Sequence, residues 1–174
     1  FQDALLAEGI HIYMPTTQEW NRNLQQQLKE VSIEDLLPRD EISIDMESVG
    51  AMLHGKSILI TGSAGSIGSE MVKQIAKYGP AELILIDSAE TPQHDIRLMM
   101  AKQFPEIKAE TIVTTICSKS RMEHIFKTYL PDYVFHAAAY KHVPMMENNP
   151  CESIQNNVYG TKILADLAVK YGVK

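Results

Sequence analysis

Thr61-Gly62-Ser63-Ala64-Gly65-Ser66-Ile67-Gly68 spaces three glycines as a loop that must bring main chain close to phosphate. Gly62 allows a tight turn, Gly65 lets the backbone approach a pyrophosphate, and Gly68 lets a helix pack on a strand. A helix opening at Ser66 then aims unpaired N–H groups and the positive end of its dipole at the diphosphate. Asp87 follows 19 residues past Gly68, where a carboxylate binds the ribose hydroxyls of a dinucleotide. The same charge repels a 2′-phosphate, and Ser88-Ala89-Glu90-Thr91 sets no arginine beside it. The pattern favours NAD over NADP, with Ser88 in the same site as Asp87.

Such a loop works only between a strand and a helix, and the hydrophobic periodicity supplies both. Ser57–Thr61 reads as a first strand and Ser66–Tyr78 as a helix with Ile67, Met71, Val72, Ile75 and Ala76 on one face. Glu82–Ile86 and Thr111–Ile116 read as strands, separated by a helix over Thr91–Phe104. Ser120–Leu130 reads as a helix opened by a Ser120-x-x-Glu123 capping box, followed by a fourth strand, Tyr133–Ala138, and a long helix, Glu152–Tyr171. Apolar strands alternating with amphipathic helices predict an α/β, Rossmann-like parallel sheet covered by helices on both faces. The methionines on the helices read as core filler.

Charge marks where that domain starts. Residues 1–55 carry ten acidic and three basic side chains, whereas residues 56–174 carry twelve and thirteen. The expected organisation is therefore a domain over 56–174, ending after its fourth strand and helix, preceded over 1–55 by the end of an upstream domain and an acidic linker. Within 1–55, Gly9–Pro15 reads as a short strand, Thr17–Glu30 as a weakly amphipathic helix, Ser32–Pro38 as one helical turn and Met46–Leu53 as a short helix.

Composition excludes several classes. A net charge of −6 argues against nucleic acid as the partner. No apolar run approaches the roughly 20 residues that cross a bilayer, so no membrane contact by this chain is expected. Phe1–Glu8 has no basic n-region, which argues against a secretory signal and for a cytoplasmic setting. Cys117 and Cys151 form no Cys-x-x-Cys motif, and no metal ligand set is completed around His136 or His142.

The loop resembles that of the extended short-chain dehydrogenase/reductases. Within them, His136-Ala137-Ala138-Ala139-Tyr140-Lys141-His142-Val143-Pro144, Glu147-Asn148-Asn149-Pro150 and Asn157-Val158-Tyr159-Gly160-Thr161 resemble the polysaccharide-biosynthesis branch, nucleoside-diphosphate-sugar 4,6-dehydratases acting on UDP-N-acetylglucosamine. Leu36-Leu37-Pro38-Arg39 resembles that branch's linker, which in large members follows transmembrane helices and an upstream Rossmann-like domain. The resemblance implies an inner-membrane anchor for the full-length protein, with this domain facing the cytoplasm. It also implies that Ala137, Ala138 and Ala139 let the cofactor lie against the end of the fourth strand, and that Asn157 braces that strand. Lys141 and His142 fall on the substrate side, where Lys141 meets the sugar nucleotide's phosphates or stays solvated. Many extended members bind the adenine amino group through an aspartate after the third strand. Here Thr115-Ile116-Cys117-Ser118 stands at that place, so a hydroxyl or backbone group near Ile116 has to serve.

The chemistry implied is hydride removal from sugar C4 to NAD, loss of water across C5–C6 eased by the 4-keto group, and hydride return to C6. The resemblance places the catalytic Ser/Thr-Asp-Lys strand and the Tyr- or Met-x-x-x-Lys helix after Lys174. No catalytic residue is therefore assigned here, and Tyr140 and Tyr159 lack a lysine four positions on. A nucleotide-sugar 4-epimerase and a non-catalytic NAD-binding module remain alternative readings. In the fold's 3-2-1-4 strand order the fourth strand is left at an edge, with no proline or lysine until Lys141, so chains are expected to associate as a homo-oligomer.

Overall fold

Ile58, Leu59 and Ile60 are consecutive, so in an extended strand they point to alternate faces, and burying all three requires cover on both sides. The computed structural model describes Tyr13–Pro15, Leu28–Glu30 and residues 45–174, and it provides that cover. The chain divides into two units, residues 1–44 and 45–174.

In the first unit, β1 (Tyr13–Pro15) pairs antiparallel with β2 (Leu28–Glu30), Tyr13 opposite Glu30. The helix expected over Thr17–Glu30 is corrected at its end, where pairing with β1 overrides weak helical periodicity. Residues 16–27 and the turn expected over Ser32–Pro38 lie outside the described residues.

The second unit opens with α1 (Met46–Leu53), capped by Asp45, whose carboxylate accepts from the Glu47 and Ser48 N–H groups at 3.2 and 3.1 Å. Leu53 is buried and Val49 packs beside it. This unit thus begins ahead of the charge step at Lys56, because α1 contributes to its core. There follow β3 (Ser57–Thr61), α2 (Ser66–Ala76), β4 (Glu82–Asp87), α3 (Glu90–Gln103), β5 (Lys108–Val113), α4 (Lys119–Tyr129) and β6 (Tyr133–His136). The rest is α5 (Val143–Glu147), α6 (Pro150–Ile154), a π-helical turn (Gln155–Gly160) and α7 (Thr161–Tyr171).

The four strands β5-β4-β3-β6 form a parallel sheet in that order. Ile58, Ile60, Leu83 and Leu85 face α1, α2 and α3 with Leu53, Val72, Ile75, Ile96 and Met100. Leu59, Ile84 and Ile86 face α4 and α7 with Met122, Phe126, Ile163 and Leu167. These are the two helical layers expected.

Four differences bear on the site. β5 sits three residues earlier than Thr111–Ile116, paired from Glu82↔Lys108 to Asp87↔Val113. The Lys108–Glu82 ion pair at 2.6 Å fixes one end, and the Thr114 N–H to the Asp87 carbonyl at 2.9 Å marks the other. β-Branched propensity ran into the loop beyond. β6 ends at His136, leaving Ala137–Ala139 as loop. The Ser120/Glu123 capping box does not form: Ser118 is the N-cap of α4, and Glu123 pairs with Lys170 instead. The helix expected over Glu152–Tyr171 is three pieces, with α5 before it.

Candidate functional site

Gly62 follows β3 at φ +68°, and a Cβ there would lie 2.6 Å from the Ala137 carbonyl carbon and the Ala138 nitrogen. Only glycine lets the turn and the segment after β6 meet so closely. A Cβ on Gly68 would lie 1.9 Å from the Gly62 oxygen, so Gly68 seats the first turn of α2 on the loop itself. Gly65, the N-cap of α2, differs: its Cβ would meet only the Gly62 oxygen, at 3.3 Å, and it lines a cavity.

That cavity, about 270 Å³, opens at the carboxyl ends of β3, β4 and β6. Gly62, Ala64 and Gly65 form one wall, and Asp87, Ser88, Ala89 and Pro92 the next. Thr114, Thr115 and Ile116 lie beyond β5, and Ala137 to Tyr140 with Asn156 close it. Asp87 holds two of these walls together. One carboxylate oxygen accepts from the Ala64 N–H at 3.0 Å and the other from the Ala89 N–H at 2.9 Å.

The sequence-predicted residues divide by position. Gly62, Ala64, Gly65, Asp87, Ser88, Ile116, Ala137, Ala138 and Ala139 line the cavity together. Ser63 is buried; its N–H donates to the Ile86 carbonyl at 3.1 Å and its hydroxyl to Gln93 Oε1 at 2.8 Å. Ser66 and Ile67 are exposed in the first turn of α2, and Gly68 lies beneath it. Asn157 braces the segment after β6 in both directions, accepting from the Tyr140 N–H at 2.8 Å and donating to the Tyr140 carbonyl at 2.9 Å. Lys141 lies against a second cavity of about 320 Å³ with Val143, Met146 and Ile154, its ammonium 3.5 Å from Ser66 Oγ. His142 is the N-cap of α5 and lines neither cavity.

Sequence reasoning missed Asn156, Thr114, Tyr140 and Pro92 in the wall. Asn156 had a signal, since it doubles Asn157; its amide donates to the Ala138 carbonyl at 3.4 Å. Thr114 was hidden by the misplaced third strand.

At the strand ends, hydrogen bonds determine a tautomer. Thr161 Oγ1 donates to the Asn157 carbonyl at 2.8 Å, so it can only accept from His136 Nε2 at 2.9 Å. His136 Nε2 therefore carries the proton, and Nδ1 accepts from the buried Thr61 hydroxyl at 2.7 Å. Desolvation holds this imidazole below the usual histidine pKa, which matches the neutral form.

A glycine-looped parallel sheet with a cavity at its carboxyl ends defines a Rossmann-type dinucleotide-binding class of fold. Residues 58–174 match the family described as polysaccharide biosynthesis protein, and the chain belongs to that family. It is 40% identical over 142 residues to the capsular polysaccharide biosynthesis protein CapD of Staphylococcus aureus, covering 81% of this chain and 24% of that protein. It is 34% identical over 124 residues to a UDP-N-acetylglucosamine 4,6-dehydratase (inverting) of Campylobacter jejuni, covering 71% and 35%. Among solved structures it is similar to the Bordetella bronchiseptica enzyme WbmG in complex with NAD, at TM-score 0.57 and 28% identity over 70% of this chain and 36% of that one. The chain thus spans between a quarter and about a third of the length of these curated relatives.

Two outcomes follow from the geometry. Gly65→Val is expected to fold with little change in urea midpoint while projecting a side chain into the cavity. Gly68→Val is expected to lose most of its cooperative unfolding, because its side chain meets backbone. Equal midpoints for the two would contradict the loop's packing.

His136 gives a pH dependence. Its folded pKa lies below the unfolded value of 6.5, so its contribution is complete above about pH 6.5 and is lost as pH falls toward the folded pKa. Between pH 7 and 5, the urea midpoint should fall further in the parent than in His136→Asn, which cannot titrate. Parallel curves would show that the imidazole is not held neutral.

Proposed function

We propose that this chain is the NAD-binding portion of a nucleoside-diphosphate-sugar 4,6-dehydratase serving capsular or surface polysaccharide precursor synthesis. The observation that supports it is the glycine-loop cavity with Asp87 between two of its walls, found in a chain of the polysaccharide biosynthesis family. The likeness to the Campylobacter jejuni dehydratase supports the reaction class, and the likeness to WbmG with NAD supports the cofactor.

The residues present fit a dinucleotide. The first turn of α2 offers backbone N–H groups to a diphosphate, while those of Ser63, Ala64 and Gly65 are already donated to Ile86, Asp87 and Gly62 and hold the loop in place. Each Asp87 oxygen accepts one backbone N–H, and a carboxylate has about four lone-pair sites, so acceptors remain for two ribose hydroxyls. The adenine amino group is left to neutral partners, Thr115 or backbone beside Ile116, since no carboxylate follows β5 there. When bound, NAD takes up a hydride from the sugar and returns it. This chain's part is to hold and orient: Ala137–Ala139 leave room at the end of β6, and Asn157 fixes the path of Tyr140. Lys141 brings a cation near the α2 N-terminus, within reach of the sugar nucleotide's phosphates, with His142 beside it on the UDP-sugar side.

The proposal extends to the whole protein. The base for the C4 hydroxyl and the acid for the departing water are assigned to segments other than residues 1–174. Residues 1–44 are assigned to an upstream domain and linker, and a membrane anchor to the full-length protein. Among the described residues no helix is long and apolar enough to cross a membrane. A homo-oligomer of this chain is part of the same reading, since among the described residues β6 lies at one edge of the sheet.

Two measurements test this. Full-length protein given UDP-N-acetylglucosamine is expected to yield a 4-keto-6-deoxy sugar; a 4-epimer instead would make it an epimerase, and no turnover despite NAD binding would favour a non-catalytic module. In calorimetry, Asp87→Ala should weaken NAD by about 1.5–3 kcal/mol and NADP by less, lowering the NAD:NADP preference. An unchanged preference would show that Asp87 does not read the ribose.

A further inference from the structure

A glutamine on the inward face of a helix is costly unless both ends of its amide are paired. Gln93, in the first turns of α3, is 1% exposed, and both ends are paired. Its Nε2 donates to the Leu85 carbonyl of β4 at 2.7 Å, and its Oε1 accepts from the Ser63 hydroxyl at 2.8 Å. A carbonyl oxygen can only accept, so the amide has one possible orientation, and the Ser63 hydroxyl is committed as a donor. Ser63 is itself fully buried and tied by its N–H to Ile86. Neither side chain lines the cavity, yet Ser63 lies between Gly62 and Ala64, which do.

We propose that Gln93 is a positioning residue for the dinucleotide loop: it acts through Ser63 to set where Gly62–Gly65 stands relative to β4. Asp87 makes a parallel bridge from Ala64 to Ala89 but faces the cavity, where its remaining lone pairs are open to a ligand. Gln93 lines no part of the cavity, so its bridge holds the loop in place before and after a ligand engages Asp87. The effect should therefore appear at the diphosphate end of the cavity and spare the nucleoside end, which Ser88, Pro92 and Thr115 form without the loop. This rests on the dinucleotide reading given above, which binding of NAD by the parent chain tests separately.

The experiment is an NMR titration of the parent, Gln93→Met, Ser63→Ala and the double variant with NAD, ADP and adenosine, with thermal unfolding of each. Gln93→Met keeps an unbranched side chain of similar length but breaks both bonds. It should weaken NAD and ADP about ten-fold and adenosine less than about two-fold. Ser63→Ala, which removes the link while leaving the Leu85 bond, should reproduce that selectivity with a smaller loss of stability. The double variant should bind no worse than Gln93→Met. A parent that binds neither NAD nor ADP overturns the dinucleotide reading and this proposal with it. A parent that binds both, with variants that lose adenosine and ADP equally or lose only thermal stability, overturns the positioning role alone.

Discussion

The site depends on a contact with no room for a single carbon. The main chain at Gly62 and that at Ala137–Ala138 come so close that a Cβ would sit 2.6 Å from backbone atoms. β3 and β6 are neighbours in the sheet, and their chains leave it together instead of diverging. The glycine loop can then fold toward β4 and α3, where Ile86 and Asp87 of the strand and Gln93 of the helix receive it. Displacing the turn at Gly62 would disturb the cavity wall on both sides at once.

Much of what surrounds that contact is polar and already partnered. Thr61, His136 and Thr161 form one chain of hydrogen bonds, and Ser63, Gln93 and Leu85 another. Each bond contributes only about 1 kcal/mol net, but a buried group left unmade costs more, so these chains act mainly to exclude alternative loop conformations. Among the described residues the cavity is lined by small or apolar residues, Tyr140, Asn156 and backbone, with Asp87 the one charged side chain. A site of this kind binds through shape and N–H groups that are already oriented.

The fold class and half of the cavity were legible in the sequence because each rests on local pattern. Ile58 to Ile60 and Leu83 to Ile86 announce buried strands, and the glycine spacing announces the loop between them. What escaped was set by distant parts of the chain. The register of β5 is fixed by Glu82 and Asp87 on its neighbour, whereas Thr111 to Ile116 look equally strand-like alone. The Ser120/Glu123 pair has the spacing of a cap, but Lys170, 47 positions on, takes the glutamate. Ser63 stands with the cofactor residues in the sequence because it falls inside the glycine motif, and only the buried Gln93 shows where its hydroxyl goes. The family's branch was legible for another reason: the run from His136 to Pro144 combines small residues and charges in an order that packing alone does not require.

The π-helical turn from Gln155 to Gly160 carries a meaning for how this segment tolerates length changes. It accommodates one more residue per turn than an α-helix would, and so lets Asn156 and Asn157 both reach the strand-end segment while Thr161 still meets His136. Deleting one residue here would produce a more regular helix with every backbone bond satisfied. Because the π turn absorbs that extra residue, the helix before it and α7 would keep nearly their present phase. What would be lost is the room for Asn156 and Asn157 to reach the segment after β6 side by side. Irregularity is the condition the segment has to keep, and a change that improves its helical geometry would loosen its hold on the chain after β6.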